Sequence, residues 1–76
     1  MKPKFEKGQM VRVFDYYMDG IVKDSWVGLI VSHKRFTIAK NSDHIIYEVL
    51  VGDSKDKGSI KRAEEFANDI IDEGRF

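Results

Sequence analysis

Trp26-Val27-Gly28-Leu29-Ile30-Val31-Ser32 is almost wholly apolar, so a strand built from it needs cover on both faces. Its β-branched residues favour a strand over a helix, and a glycine inside such a strand marks a bend or the close approach of another backbone. Strong bending of a central strand is how a small sheet closes on itself. The stretch therefore predicts a small, bent-sheet barrel.

The flanking sequence supplies the other strands. From Gln9 to Phe14, Val11 and Val13 fall on one side with Arg12 between them, the period-two pattern of a half-buried strand. Gly8 offers the positive backbone dihedral of a turn, and Phe5 is spaced to fold back as a lid on the core. Asp15-Tyr16-Tyr17-Met18-Asp19-Gly20 breaks the alternation and reads as an aromatic-rich loop ending in an Asp-Gly turn signal. Ile21-Val22-Lys23 fits a short strand and Asp24-Ser25 a turn. Beyond a polar connection from Lys34 to Asp43, the run from His44 to Val51 is another long strand, with Tyr47, Val49 and Val51 on one face and Ile46, Glu48 and Leu50 on the other. The two long strands are expected to pair antiparallel, with Phe36 near an exposed tip.

Past the charged loop Asp53 to Gly58 the period changes. Ile60, Ala63, Phe66, Ala67, Ile70 and Ile71 recur at spacings of three and four, which predicts an amphipathic helix over 59–73. Ser59 would be its N-cap and Gly74 its exit, with Glu64, Glu65, Asp69 and Asp72 forming an acidic face. The same residues leave a second possibility, a short closing strand over Gly58 to Lys61 with the helix starting near Arg62. The expected class is thus mainly β (α+β): a single domain over 1–76, barrel strands in 5–52 and a C-terminal helix.

Composition narrows the function. In 76 residues there is one proline and no cysteine, which removes disulfides, thiolate catalysis and cysteine-ligated zinc. A chain this short has little core to spare for an enclosed catalytic cleft. No apolar run is long enough to cross a bilayer, and the first residues lack the apolar segment of a secretory signal, so the expected location is the cytoplasm, or a host cytoplasm or virion if phage-encoded. Thirteen basic and thirteen acidic residues cancel, which argues against a general nucleic-acid binder. The charges are nonetheless segregated: twelve Lys or Arg face eight acids through Arg62, whereas residues 63–76 hold one Arg and five acids.

Catalytic patterns are weak. His33, His44 and Asp43 could flank a hairpin as ligands, but their spacing matches no familiar metal motif. The serines form no nucleophile elbow, the glycines are too dispersed for a phosphate loop, and Glu64-Glu65 and Asp72-Glu73 lack a cleft between them. A non-enzyme with no cofactor and no metal is expected. The candidate binding residues are Tyr16, Tyr17 and Trp26, together with Arg12, Lys34, Arg35 and Phe36 and the acidic residues of the expected helix. The loop rings have two roles open to them, plugging the barrel ends or gripping a partner. A protein partner is the leading expectation. The alternative is nucleic acid, with Arg12, Lys23, Lys34, Arg35 and Lys40 on phosphates and Tyr16, Tyr17 or Phe36 stacking on bases. Pairing of edge strands into a homo-oligomer is a further possibility, with Ile46 and Leu50 forming an apolar strip.

The order Phe5-x-x-Gly8-x-x-Val11-x-Val13, Gly20-Ile21-Val22, Val27-Gly28-Leu29-Ile30-Val31 and Tyr47-Glu48-Val49-Leu50-Val51 resembles the strand sequence of Src-homology-3-like small barrels, in the style of short proteins of tailed bacteriophages and bacteria. The resemblance covers roughly residues 5–52. It implies an adaptor, virion accessory or nucleic-acid module without choosing among them. Phe14-Asp15-Tyr16 is similar to the Tyr-Asp-Tyr of polyproline-binding members, but the tandem tryptophans and the Pro-x-x-Tyr segment of that groove are absent, so polyproline recognition is not implied.

Overall fold

A computed structural model describes residues 3–39, 42–65 and 67–73. They form β1 (Met10–Tyr16), β2 (Val22–Ala39), β3 (Ser42–Val51), β4 (Ile60–Glu64) and β5 (Asp69–Asp72). All pair antiparallel in one sheet of order β4-β3-β2-β1-β5, so the two last strands of the chain become the two outer strands of the sheet.

One face of this sheet is the core. Val11 and Val13 of β1, Trp26 and Ile30 of β2, Ile45, Tyr47, Val49 and Val51 of β3 and Ala63 of β4 are all buried, with Ile70 of β5 packed against them. No second layer of secondary structure covers them among the described residues. A flat sheet would leave that face wet, so the sheet curls around its own apolar side. Phe5 completes the cover, its ring meeting Tyr47 edge to face at a centroid distance of 5.6 Å. The Phe5 segment is tied down where Gly8 N–H donates to the Ile30 carbonyl at 2.8 Å, Gly8 itself lying at φ 90°.

The bend lies in β2. Up to Ile30, the residues Trp26, Gly28 and Ile30 face inward, but the register shifts between Ile30 and Ser32, and thereafter His33 lies opposite Tyr47 and Arg35 opposite Ile45. One extra residue in a ladder flips the faces and sharpens the local twist. Gly28 sits just before this bend, paired to Val11 on one side and Val51 on the other. A Cβ there would lie 2.5 Å from the Leu50 carbonyl oxygen and 2.6 Å from Val49 Cγ1, so the strands approach too closely for any side chain.

Four expectations are corrected. No helix occurs over 59–73 in the described residues: 60–64 and 69–72 are strands joined by a turn. The spacing of three and four arose because Ala63 and Ile70, the inward residues of two strands, are separated by a turn that resets the phase. Ser59 does not cap a helix. Its hydroxyl donates to the Asp56 carbonyl at 2.6 Å and closes the 53–59 turn. Gly74 and Phe66 lie outside the described residues. Asp24-Ser25 is no turn but part of β2, and the segment Lys34 to Asp43 extends the β2–β3 hairpin, placing Phe36 opposite His44 within the ladder.

Candidate functional site

The described residues include an open groove of about 450 Å³, a size common among ligand pockets. Phe5, Phe14, Tyr16, Val22, Ile70 and Ile71 supply its apolar lining. Lys4, Glu65, Asn68 and Asp69 supply the polar lining. The groove exists because β5 pairs with β1 only over Val11 to Phe14, so the last residues of β1 run on past it.

A hydrogen-bond network fixes this region. Asn68 donates to Asp15 Oδ1 at 2.6 Å and to the Phe14 carbonyl at 3.2 Å, while its Oδ1 accepts from the Glu64 amide at 3.0 Å. Asp15 also accepts from the Trp26 indole N–H at 3.1 Å. The turn between β4 and β5 is thereby pinned to β1 and to the core. Tyr16 donates its hydroxyl to Asp69, and Tyr47 donates to Glu65. The hydrogen bond to Asp69 raises the Tyr16 pKa above its usual value. Burial, reinforced by Glu65, pushes Tyr47 up to about 12. Both tyrosines therefore stay protonated as donors to these two side chains.

Beside the groove, the β1–β2 hairpin ends in an apolar tip. Tyr17 is 56% exposed and Met18 fully exposed, with Ile21 and Val22 also largely in solvent. The tip is held in shape: the Tyr17 amide donates to the Ile21 carbonyl at 2.9 Å, the Gly20 amide to the Tyr17 carbonyl at 2.9 Å and the Ile21 amide to Asp19 Oδ1 at 3.0 Å. Val22 belongs to both tip and groove wall, so the two surfaces are continuous.

The expected binding residues divide between these surfaces and others. Tyr16 lines the groove and Tyr17 forms the tip. Trp26 does neither: at 1% exposure it is a core residue, with Lys61 Nζ 4.7 Å from its ring centroid, and it offers no face to a partner. Arg12 is engaged by Glu73 through two hydrogen bonds of 3.2 and 3.1 Å, which raise its pKa further, and it also reaches Ser25 at 3.4 Å. Lys34 stands 3.9 Å from Glu48 and, with Phe36 at 45% exposure, edges a small cleft on the outer face beside Ile46 and Arg62. Arg35 is exposed on the same hairpin. Lys40 lies outside the described residues.

The acidic residues do not share a helix face. Glu64 ends β4, Glu65 lies in the turn, and Asp69 and Asp72 bracket β5; only Glu65 and Asp69 line the groove. His33 and His44 are not opposite each other, since they face Tyr47 and Phe36, and among the described residues no group of three or more ligating side chains could hold a metal ion.

Val22, Asn68 and Ile71 are site residues that the sequence reading misses. Asn68 had a signal, a turn-forming asparagine four residues after Glu64, which the helical pattern concealed. Among the described residues no helix is long and apolar enough to cross a membrane. Compared with family models, curated proteins and solved structures, the chain matches none.

Proposed function

We propose that this chain is a non-catalytic interaction module of the Src-homology-3-like small-barrel kind, an accessory protein of phage or bacterial type that binds a protein partner. The observation that carries this is the continuity of the open groove with a shaped, solvent-exposed apolar tip at Tyr17, Met18, Ile21 and Val22. Exposed apolar side chains cost solvation, and a contiguous set of them held on hydrogen-bonded backbone marks a docking surface. The strand order, with a long bent β2 shared by both halves of the sheet, supports the small-barrel assignment.

Phosphate recognition fits this surface poorly. The groove is lined by Glu65 and Asp69 against the single cation Lys4, and two cations of the nucleic-acid alternative, Arg12 and Lys34, already face Glu73 and Glu48. The test is capture of partners from native lysate by the wild type and by Tyr16→Ala, Tyr17→Ala and Met18→Asp variants, with and without nuclease. A discrete protein that survives nuclease and is lost with the variants, at unchanged thermal stability, supports the proposal. Retention of nucleic acid alone, released by moderate salt, would replace it with the nucleic-acid alternative.

A further inference from the structure

We infer that the groove selects an extended peptide segment carrying Lys or Arg beside an apolar residue, laid along the open edge of β5; the inference rests on the protein-binding function proposed above. Two independent features lead to it, the free edge of the sheet and the sign of the charge around it.

The edge follows from the register. Glu73 N–H donates to the Met10 carbonyl at 3.0 Å, so that pair is of the hydrogen-bonded kind, as are its second neighbours Arg12–Ile71 and Phe14–Asp69. The amide and carbonyl of Ile70, halfway between, point away from β1. β5 ends the strand order, and among the described residues no strand pairs with that side of it. An extended chain can add there through main-chain hydrogen bonds, with alternate side chains lying beside Asp69 and Ile71, the β5 residues that the groove lining shares.

The charge selects the chemistry of that chain. Residues 64–73 hold five acids and no Lys or Arg, and the neighbouring hairpin, residues 15–24, holds three aspartates against one lysine. Glu65 and Asp69, the two carboxylates lining the groove, accept hydrogen bonds from neutral tyrosine hydroxyls, and among the described residues neither has an ion-pair partner. Lys4 is the one cation in this lining, so the two carboxylates leave the groove net negative beside the apolar side chains of Phe14, Val22 and Ile71. A cationic side chain answers the carboxylates and an adjacent apolar one the groove walls. An acidic or phosphorylated segment would meet like charge.

The experiment is selection from a displayed library of short random peptides on the immobilised wild-type protein, followed by fluorescence anisotropy with the enriched sequences made synthetically. Enrichment of sequences pairing Lys or Arg with an apolar residue is expected, with affinity falling between about 50 and 300 mM salt. The double variant E65Q/D69N keeps both hydrogen-bond acceptors for the tyrosines and removes both charges, so it should fold normally and bind these peptides roughly tenfold more weakly at low salt. Ile71→Glu should abolish binding. Enrichment of neutral or acidic peptides, or undiminished affinity in E65Q/D69N, would overturn the charge selection while leaving the protein-binding function intact. No enrichment at all would also overturn it, and lysate capture by the wild type would then decide the wider proposal separately.

Discussion

Replacing Gly28 with alanine adds one methyl group at the tightest point of the sheet. The new Cβ would lie 2.5 Å from the Leu50 carbonyl oxygen and 2.6 Å from Val49 Cγ1. Relaxed contacts of these types are about 3.3 to 4.0 Å, so β2 and β3 would have to part by roughly 0.8 Å or distort locally. Overpacking of this sort costs about 1 to 3 kcal/mol, and a clash with backbone rather than a flexible side-chain end belongs in the upper half of that range. Alanine also narrows the unfolded ensemble, which returns about 0.4 to 1 kcal/mol. The net loss is about 2 kcal/mol, a fall in Tm of roughly 8 to 16 °C for a domain of this size. Gly52→Ala is the control, because its Cβ would meet the Val27 carbonyl oxygen at an ordinary 3.5 Å. Thermal unfolding followed by far-UV circular dichroism should show the large fall for Gly28→Ala and little change for Gly52→Ala. Equal melting temperatures for Gly28→Ala and wild type would refute the close packing of β2 on β3.

Trp26→Phe removes both ring volume and the donor to Asp15, so a loss of about 2 to 3 kcal/mol is expected by chemical denaturation. Tyr47 carries a pH signature: its pKa rises from about 10 in the unfolded chain to about 12 in the fold. The folded state thus holds the proton more tightly, its contribution is complete below about pH 10, and it is lost as pH climbs toward about 12. Tyr47→Phe should flatten that alkaline loss of stability in pH-dependent urea melts, at the cost of a less stable protein at neutral pH. Gly58→Ala places a side chain at φ 91° with open space around it, so strain alone acts and about 1 kcal/mol should be lost. Met18→Asp, at a fully exposed tip, should leave the melting curve within about 0.5 kcal/mol of wild type while abolishing partner capture.

The core strands were readable because their apolar residues alternate. Val11 and Val13, and Tyr47, Val49 and Val51, face inward as the period of two requires, and Gly28 marks the close backbone approach expected of it. The C-terminal stretch misled because Ile60, Ala63, Ile70 and Ile71 satisfy a helical spacing that outweighs the turn signal of Asn68. Tertiary demand decided otherwise: the outer edges of β3 and β1 each needed a partner strand, and only this segment was left to supply both. The site was half visible for the same reason. Tyr16 and Tyr17 stood out as loop aromatics, whereas Asn68 and Ile71 enter the groove only once β5 lies beside β1. Trp26 resembled its neighbours in sequence, and only its pairing opposite Val13 and its bond to Asp15 place it inside.

The groove, its acidic lining and its open edge all depend on the chain beyond Gly58 forming the two outer strands. Close Hα–Hα cross-peaks in a nuclear Overhauser spectrum test this directly, because facing residues of non-hydrogen-bonded antiparallel pairs bring these protons together. The pairs concerned are Val11–Asp72 and Val13–Ile70 on β1–β5, and Glu48–Arg62 and Leu50–Ile60 on β3–β4. All of these cross-peaks are expected. Their absence, with Hα-to-amide contacts three residues apart between Ile60 and Asp72, would show a helix and remove the groove.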